Sequence, residues 1–444
     1  MLSVNVVSHR DFLLANQDHQ KLFLQLDLRP QQEAARSRPD LAICFVVDTS
    51  GSMYEQVTAD GENKLDLVIQ SLRGILNDDT AFRDEDRLAL VQFDSKASVL
   101  VPFNDASQRT RLIAAVDRLS EYSGGTAMGD GMRKGLEVLA QESASKRMVV
   151  LTDGETFDEE VVREVNEQLL QQHIPVTVIG VGDFNESLLT ETADKTQGRL
   201  IDIVPDDQNP QAPSVRASDL PKAILGDVRA AAKEVVTDVE ISIKTVKNVE
   251  INRITRVSPT QTEVDSSSAP YKLGNVSADE HSVFIVECTL PARDAIKMRL
   301  AQLGFTYKVP GKDFRGEIPP LDVVVEFTHD EQLAGQINQD VMRWVQQRNV
   351  EEMIKKATHY AQQGQAEQAV KTIKLAQNMT QRLGNSVMTQ VLDNAIGELN
   401  SNKTISVGTQ KTMKIGAKTQ TMRASDGQLP GGMSEEELRK LTGA

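Results

Sequence analysis

The 444-residue chain has only two cysteines, Cys44 and Cys288, and a single tryptophan, with aromatic residues at 4%. So few cysteines exclude a disulfide-stapled scaffold, and Cys44 lies inside an apolar run, where a small buried hydrophobe belongs. No stretch approaches the roughly 18 consecutive apolar residues of a membrane span. The N-terminus, Met1 to Arg10, has no basic segment followed by a long apolar one, so no secretory signal is read there and a cytoplasmic location is expected. Basic residues are in deficit, 49 Lys and Arg against 64 Asp and Glu, and the net charge of −15 comes with no broad basic face. That excludes a nucleic-acid binder and leaves solubility as the plain role of the charge. Six histidines, His9, His19, His173, His281, His329 and His359, are scattered, and none neighbours a candidate nucleophile. The apolar fraction of 39% and charged fraction of 25% are those of an ordinary globular protein, long enough for about two to four domains.

What is present is concentrated after one apolar run. Leu41 to Val47 reads as a buried parallel strand, and Asp48-Thr-Ser50-Gly-Ser52 follows it directly. The motif therefore sits at the carboxyl edge of a strand, where open α/β sheets bind ligands. An Asp followed by hydroxyls at two-residue intervals puts three oxygen donors on one tight loop, a set that suits a hard cation such as Mg²⁺. Gly124-Gly125-Thr126 offers a further hydroxyl just before a helix opening at Ala127. Arg147 to Leu151 is a second apolar run, and it ends in Thr152-Asp153-Gly154, a second carboxylate at a second strand edge.

Asp48, Ser50, Ser52, Thr126 and Asp153 match, in order, the five positions of the metal-ion-dependent adhesion site of von Willebrand factor A domains. The resemblance covers roughly Leu41 to Val204. It implies that Ser50 and Ser52 bind Mg²⁺ or Mn²⁺ directly, and that Asp48, Thr126 and Asp153 bind it directly or through water. Two carboxylates and three neutral hydroxyls leave such an ion short of its six oxygens at about 2.1 Å, so a position stays open to an outside donor. The resemblance implies that a partner protein's Glu or Asp fills it.

The same region alternates apolar strands with helical patterns, the signature of a doubly wound, mostly parallel sheet. Strands are read at Leu41–Val47, Arg87–Phe93, Val99–Phe103, Met148–Leu151, Pro175–Val181 and Arg199–Val204. The short gap at Asp94-Ser-Lys-Ala97 reads as a hairpin that makes one edge strand antiparallel. Leu22, Leu24, Leu26 and Leu28 alternate with polar residues, and with Val4 and Val6 they give two strands that need more sheet to pack on. Beyond the α/β region, Val239–Ile243, Thr262–Val264, Val283–Leu290, Met298–Val309 and Leu321–Phe327 read as strands. The inference is one discontinuous β-sandwich, residues 1–38 plus 236–330, with the α/β domain, 39–205, inserted into it. The segment from Tyr271 to Glu287 resembles the β-sandwich that accompanies such domains in bacterial proteins. Residues 206–235, which with Pro205 carry four prolines (Pro205, Pro210, Pro213 and Pro221), read as a linker and a connecting helix from Ala223 to Val235.

From 331 to 400 the pattern is helical, with Leu333, Ile337, Val341, Trp344 and Val345 on one face. A helical bundle is expected; Gly364, Ala369, Ile373 and Ala376 also resemble the latter half of one tetratricopeptide repeat. Residues 401–433 lose periodicity and read as a disordered basic tail, followed by a short helix over 434–444. Thr412 has Ile415 three residues on, the spacing that forkhead-associated domains favour beside phosphothreonine. Thr412, with Thr419 and Thr421 as alternatives, is a candidate phosphorylation site in a docking segment.

Function follows as a non-enzymatic, metal-dependent protein-interaction module in intracellular signalling or complex assembly. One alternative is an adaptor recruited by an AAA+ ATPase of the MoxR or magnesium-chelatase-like kind. A Mg²⁺-assisted hydrolase with Asp48 as nucleophile is the other. It is disfavoured because Ser50 stands where a second acid is needed and no phosphate-binding Gly-rich loop with Lys occurs.

Overall fold

The fold is described from a computed structural model, which covers residues 1–31, 38–57, 61–105, 108–182, 184–205, 214–312 and 314–419. β1 (Leu2–Ser8), β2 (Phe12–Leu14) and β3 (Gln20–Pro30) come first. Next are β4 (Leu41–Asp48), α1 (Lys64–Leu76), β5 (Arg87–Phe93), β6 (Ala97–Asp105), α2 (Arg109–Asp117) and α3 (Met128–Leu139). β7 (Ser145–Thr152), α4 (Glu159–Gln171), β8 (Val176–Val181), α5 (Glu186–Lys195), β9 (Arg199–Val204), β10 (Val215–Arg216) and α6 (Leu220–Ala231) follow. A second β region holds β11 (Glu234–Thr245), β12 (Glu250–Ser258), β13 (Thr262–Glu263), β14 (Tyr271–Ser277), β15 (Ser282–Leu290), β16 (Lys297–Lys308) and β17 (Arg315–Thr328). Then come α7 (Glu331–Ala334), α8 (Gln339–Gln362), α9 (Ala366–Arg382), α10 (Ser386–Asn402) and α11 (Val407–Thr419). Contacts divide the described residues into two compact units. One draws on the described residues within 1–31, 238–308 and 314–419, the other on those within 38–237 and 309–312.

The α/β unit is a seven-stranded sheet in the order β10-β9-β8-β7-β4-β5-β6. Its strands pair in parallel except β6, which runs antiparallel to β5 through the Asp94–Lys96 turn. β4 is central and wholly buried, and its side chains alternate between two cores. Leu41, Ile43, Phe45 and Val47 enter the one with α1, α2 and α6; Ala42, Cys44 and Val46 enter the one with α3, α4 and α5. A strand covered on both faces must be apolar throughout, and burying each large side chain contributes about 1.5–3 kcal/mol. The first strand of the unit thus lies between β7 and β5, so the chain winds outward in both directions from it and a crevice opens at its carboxyl end.

One boundary differs from the sequence expectation. The connecting helix is α6, Leu220–Ala231, and it belongs to the α/β unit rather than to a linker. Leu220, Ile224, Val228 and Ala231 pack into the core beside α1, and Asp227 lies 3.5 Å from Arg199 and 3.9 Å from Arg147. Its i, i+4 apolar stripe is what carries it there.

In the other unit, β1-β3-β15-β12-β13 form one sheet and β14-β11-β16-β17-β2 a second. β3 pairs antiparallel with β15 along its length, from Leu28 opposite Ser282 to Gln20 opposite Leu290, so the N-terminal strands are completed by chain from beyond the α/β unit. β12 and β2 were not read from the sequence. β12 carries Arg253, satisfied by Glu263 and Glu352, and these charges mask its alternation. α8 packs Val341, Trp344 and Val345 against Phe23, Val257 and Ile285, while Arg348 lies 5.4 Å over the Phe23 ring and 2.8 Å from Glu287.

The disordered tail is corrected in its first part. α10 runs to Asn402, and Val407–Thr419 is helix α11. Ser406 caps α11 by accepting from Thr409 N (3.2 Å), and Ile405, Met413 and Ala417 join the core with α8, α9 and α10. Thr412 and Thr419 donate to the carbonyls of Gly408 and Ile415 (both 2.9 Å), so Thr412 to Ile415 is helical rather than extended. Thr421 and the 434–444 helix lie outside the described residues.

Because Trp344 is the only tryptophan and contacts the Phe23 cluster, its fluorescence reports this unit directly. Phe23 is fully buried, so Phe23→Ala is expected to cost about 3–5 kcal/mol in denaturant unfolding followed through Trp344. A midpoint within 1 M of wild type, at an ordinary slope of about 1–3 kcal/mol/M in urea, would show that the helices do not depend on this contact.

Candidate functional site

Asp48 ends β4, and Asp153 follows β7, the strand beside it. Both carboxylates are buried, at 0% and 1% exposure, which is costly unless each oxygen finds a partner. Asp48 spends both: Oδ1 accepts from Ser50 N (2.8 Å) and Oδ2 from Thr152 Oγ1 (2.6 Å). Burial still pushes its pKa up to about 7, with the bonds from Ser50 and Thr152 opposing and the charge of Asp153 adding to the rise. Such a carboxylate is ionised at neutral pH only in part, and a nearby cation favours the charged form.

The hydroxyls come from two loops drawn together by main-chain bonds. Ser50 Oγ and Ser52 Oγ lie 3.1 Å apart, and Gly51 N donates to Gly124 O (3.0 Å), joining the Asp48–Ser52 turn to the segment that carries Thr126. Ala127 N donates to Asp94 O (2.7 Å) and Gly125 N to Ser95 Oγ (2.7 Å), which ties that segment to the β5–β6 turn. A Cβ on Gly124 would stand 2.8 Å from Ser95 Oγ, so the close approach requires glycine. The loop after Asp153 completes the ring. Thr156 Oγ1 and Phe157 N bond Thr126 O (3.0 and 3.2 Å), and Asp158 accepts from Gly129 N and Asp130 N (both 3.0 Å), capping the open N–H groups of α3. Gly154, at φ +75°, turns the chain there and donates to Thr152 Oγ1 (2.9 Å). The structure thus links Asp48, Ser50 and Ser52 by direct bonds, brings Asp153 to them through Thr152, and fixes the half-buried Thr126 through its carbonyl.

Asp153 is treated unlike Asp48. Its Oδ2 accepts from Lys64 Nζ (3.1 Å), whereas its Oδ1 is buried with no hydrogen-bond partner. Lys64 also donates to Glu55 Oε2 (2.8 Å); burial works against its charge, but the bonds to Glu55 and the charge of Asp153 outweigh that and hold its pKa above the ordinary value. An uncompensated buried carboxylate oxygen, in a unit whose neighbouring loops carry hydroxyls, fits a hard divalent cation, which takes oxygen ligands. Among the described residues no three His, Cys, Asp or Glu side chains gather as a metal-binding group.

Sequence reasoning passed over Lys64, Thr152 and the rim residues Phe157 and Tyr54. Phe157 is 69% exposed and flanks Gly125; Tyr54 is 37% exposed and bonds Tyr122 O (2.6 Å). Lys64 left one signal, a cation in the first turn of a helix, where the dipole disfavours it.

The family described as von Willebrand factor type A domain matches residues 42–214, and the one described as Sll0103-like, C-terminal alpha-helical domain matches 339–423. YfbK of Escherichia coli (strain K12) is 22% identical over 293 residues, 63% of this chain and 47% of its own length. The protein sll0103 of Synechocystis sp. is 28% identical over 168 residues, 37% of each. The chain therefore spans less than half the length of these two curated relatives. A solved structure of a von Willebrand factor type A protein from Catenulispora acidiphila superposes at a TM-score of 0.77 with 18% identity, covering 95% of this chain and 97% of that one. At that identity the likeness establishes the fold. No helix among the described residues is long and apolar enough to cross a membrane. Von Willebrand factor type A domains are in general metal-dependent protein-interaction modules. This chain carries such a domain, joined to an Sll0103-like C-terminal helical domain.

Proposed function

We propose that the chain is a cytoplasmic, non-enzymatic protein-interaction module. In this reading Asp48, Ser50, Ser52, Thr126 and Asp153 hold one Mg²⁺ or Mn²⁺, and a Glu or Asp of a partner protein completes the ion's ligands. The observation that carries it is the buried Oδ1 of Asp153, left without a hydrogen bond on a ring of hydroxyl-bearing loops. The ion supplies a localised positive charge for a carboxylate; the chain's own residues place and orient it. Thr152 holds Asp48, and the Gly51–Gly124 and Phe157–Thr126 bonds hold the loops in register. Exposed Phe157 and Tyr54 offer the partner apolar contact beside the charged centre, the pairing on which tight interfaces depend. A hydrolytic role for Asp48 is unsupported, because the residue is fully buried and both its oxygens already accept hydrogen bonds.

Titration calorimetry with Mg²⁺ and Mn²⁺ is expected to give one ion per wild-type chain and none for Asp48→Ala; matching isotherms would reject the site. Thr152→Val removes the group that orients Asp48 and leaves the carboxylate oxygen and Gly154 N unpaired. Metal affinity is expected to fall about 10- to 100-fold, and stability by about 1–3 kcal/mol in chemical denaturation. Unaltered affinity with lowered stability would limit Thr152 to a purely structural part.

A further inference from the structure

Lys64 opens α1, yet its side chain is only 6% exposed, and its ammonium reaches Asp153 Oδ2 at 3.1 Å and Glu55 Oε2 at 2.8 Å. A lysine in that position gains nothing from the helix, whose N-terminus is itself positive. The surrounding chain is built to hold it. Lys64 N donates to Glu55 O (3.0 Å), Val57 N donates to Glu62 O (3.0 Å), and Gln56 bridges Asn63, closing the segment before the helix into a short antiparallel pair. Gly182, at φ +78°, leaves room for the lysine stem: a Cβ there would stand 3.1 Å from Lys64 Cε.

Charge counting gives this arrangement a consequence. Asp48 and Asp153 are buried and together carry two negative charges when ionised, so a divalent ion alone would bring the site to neutrality. With Lys64 buried against Asp153, the same loaded site keeps one positive charge. Glu55 offsets part of it only, because that carboxylate is 68% exposed and screened by water. The lysine also divides the labour of Asp153, occupying Oδ2 while Oδ1 has no hydrogen-bond partner.

We propose that Lys64 is the specificity-determining cation of the site, weakening metal binding while leaving the loaded site positively charged, so that it selects a carboxylate over a neutral oxygen donor. The inference rests on the metal-site reading above. It differs from a structural role for Lys64, which would alter folding and leave the affinities alone.

The test uses the full chain with Mn²⁺ alone, followed by calorimetry, and then acetate against acetamide, followed by Mn²⁺ water-proton relaxation. Lys64→Met is expected to bind Mn²⁺ about tenfold more tightly or better, from the loss of one close like charge. Glu55→Gln, on an exposed side chain that does not threaten folding, is expected to shift affinity the other way, since Lys64 then has Asp153 as its remaining carboxylate partner of the two. Acetate should compete severalfold more weakly in Lys64→Met than in wild type, with acetamide ineffective in both. Lys64→Met binding Mn²⁺ no more tightly than a metal-binding wild type overturns the inference and leaves the metal site standing. Glu55→Gln shifting in the same direction as Lys64→Met, or acetate acting equally on both proteins, also overturns it. Binding in both proteins with Lys64→Met the tighter supports it, and silence in wild type rejects the metal site and the inference together.

Discussion

A carboxylate with no exposure at the end of a central strand has to be satisfied by its surroundings, and the loops around Asp48 are organised by that requirement. Both oxygens are met from within the α/β unit, one by the peptide two residues on and one by the end of β7. Meeting the second fixes the distance between the two strand ends, because Thr152 must also accept from Gly154 N. The turn that follows Asp48 is then held at Gly124 and at Phe93 by main-chain bonds. Loops ordinarily tolerate change because water satisfies their peptides. These cannot, since their peptides are paired to one another around buried charge.

The sheet makes that geometry affordable. β4 is apolar on both faces, with Ile43 and Phe45 in one core and Cys44 and Val46 in the other, so its carboxyl end is rigidly placed before any polar group is considered. Packed cores shift little, and a site built on strand ends inherits that precision. The sandwich unit follows a different logic. Helix α8 is fastened to the sheet by a buried polar side chain as well as apolar ones: Arg348 lies over Phe23 and bonds Glu287, which Lys21 of the neighbouring strand also holds. A pair removed from water in this way offers little net stability but penalises any other register of helix on sheet.

Legibility in the sequence followed the strength of the local pattern. Central strands show as unbroken apolar runs because both faces are covered, and the β5–β6 hairpin shows as a four-residue gap. The oxygen donors Asp48, Ser50 and Ser52 lie within five residues, so their meeting needs no tertiary knowledge. β12 was hidden because Asn252, Arg253 and Arg256 break its alternation, and two of the partners that satisfy them, Glu352 for Arg253 and Thr289 for Asn252, are distant in sequence. α11 was hidden because Lys, Thr and Gly make up most of its length, while the apolar residues that anchor the segment, Ile405, Met413 and Ala417, are few. Lys64 reads as an ordinary solvated lysine; that it lies buried 89 positions from Asp153 is a property of the fold alone.

The unequal treatment of the two acids separates their roles. A carboxylate oxygen has two lone pairs, so Asp48, with each oxygen accepting one bond, keeps capacity for a cation without depending on one. Asp153 is balanced differently: one oxygen faces an ammonium and the other faces nothing the chain provides. The first arrangement keeps the strand end folded whatever arrives. The second concentrates the unmet demand at one buried atom. A site whose folding and whose demand for a ligand rest on different residues can respond to a cation without unfolding in its absence. That separation is what a reversible, metal-dependent contact requires of its scaffold.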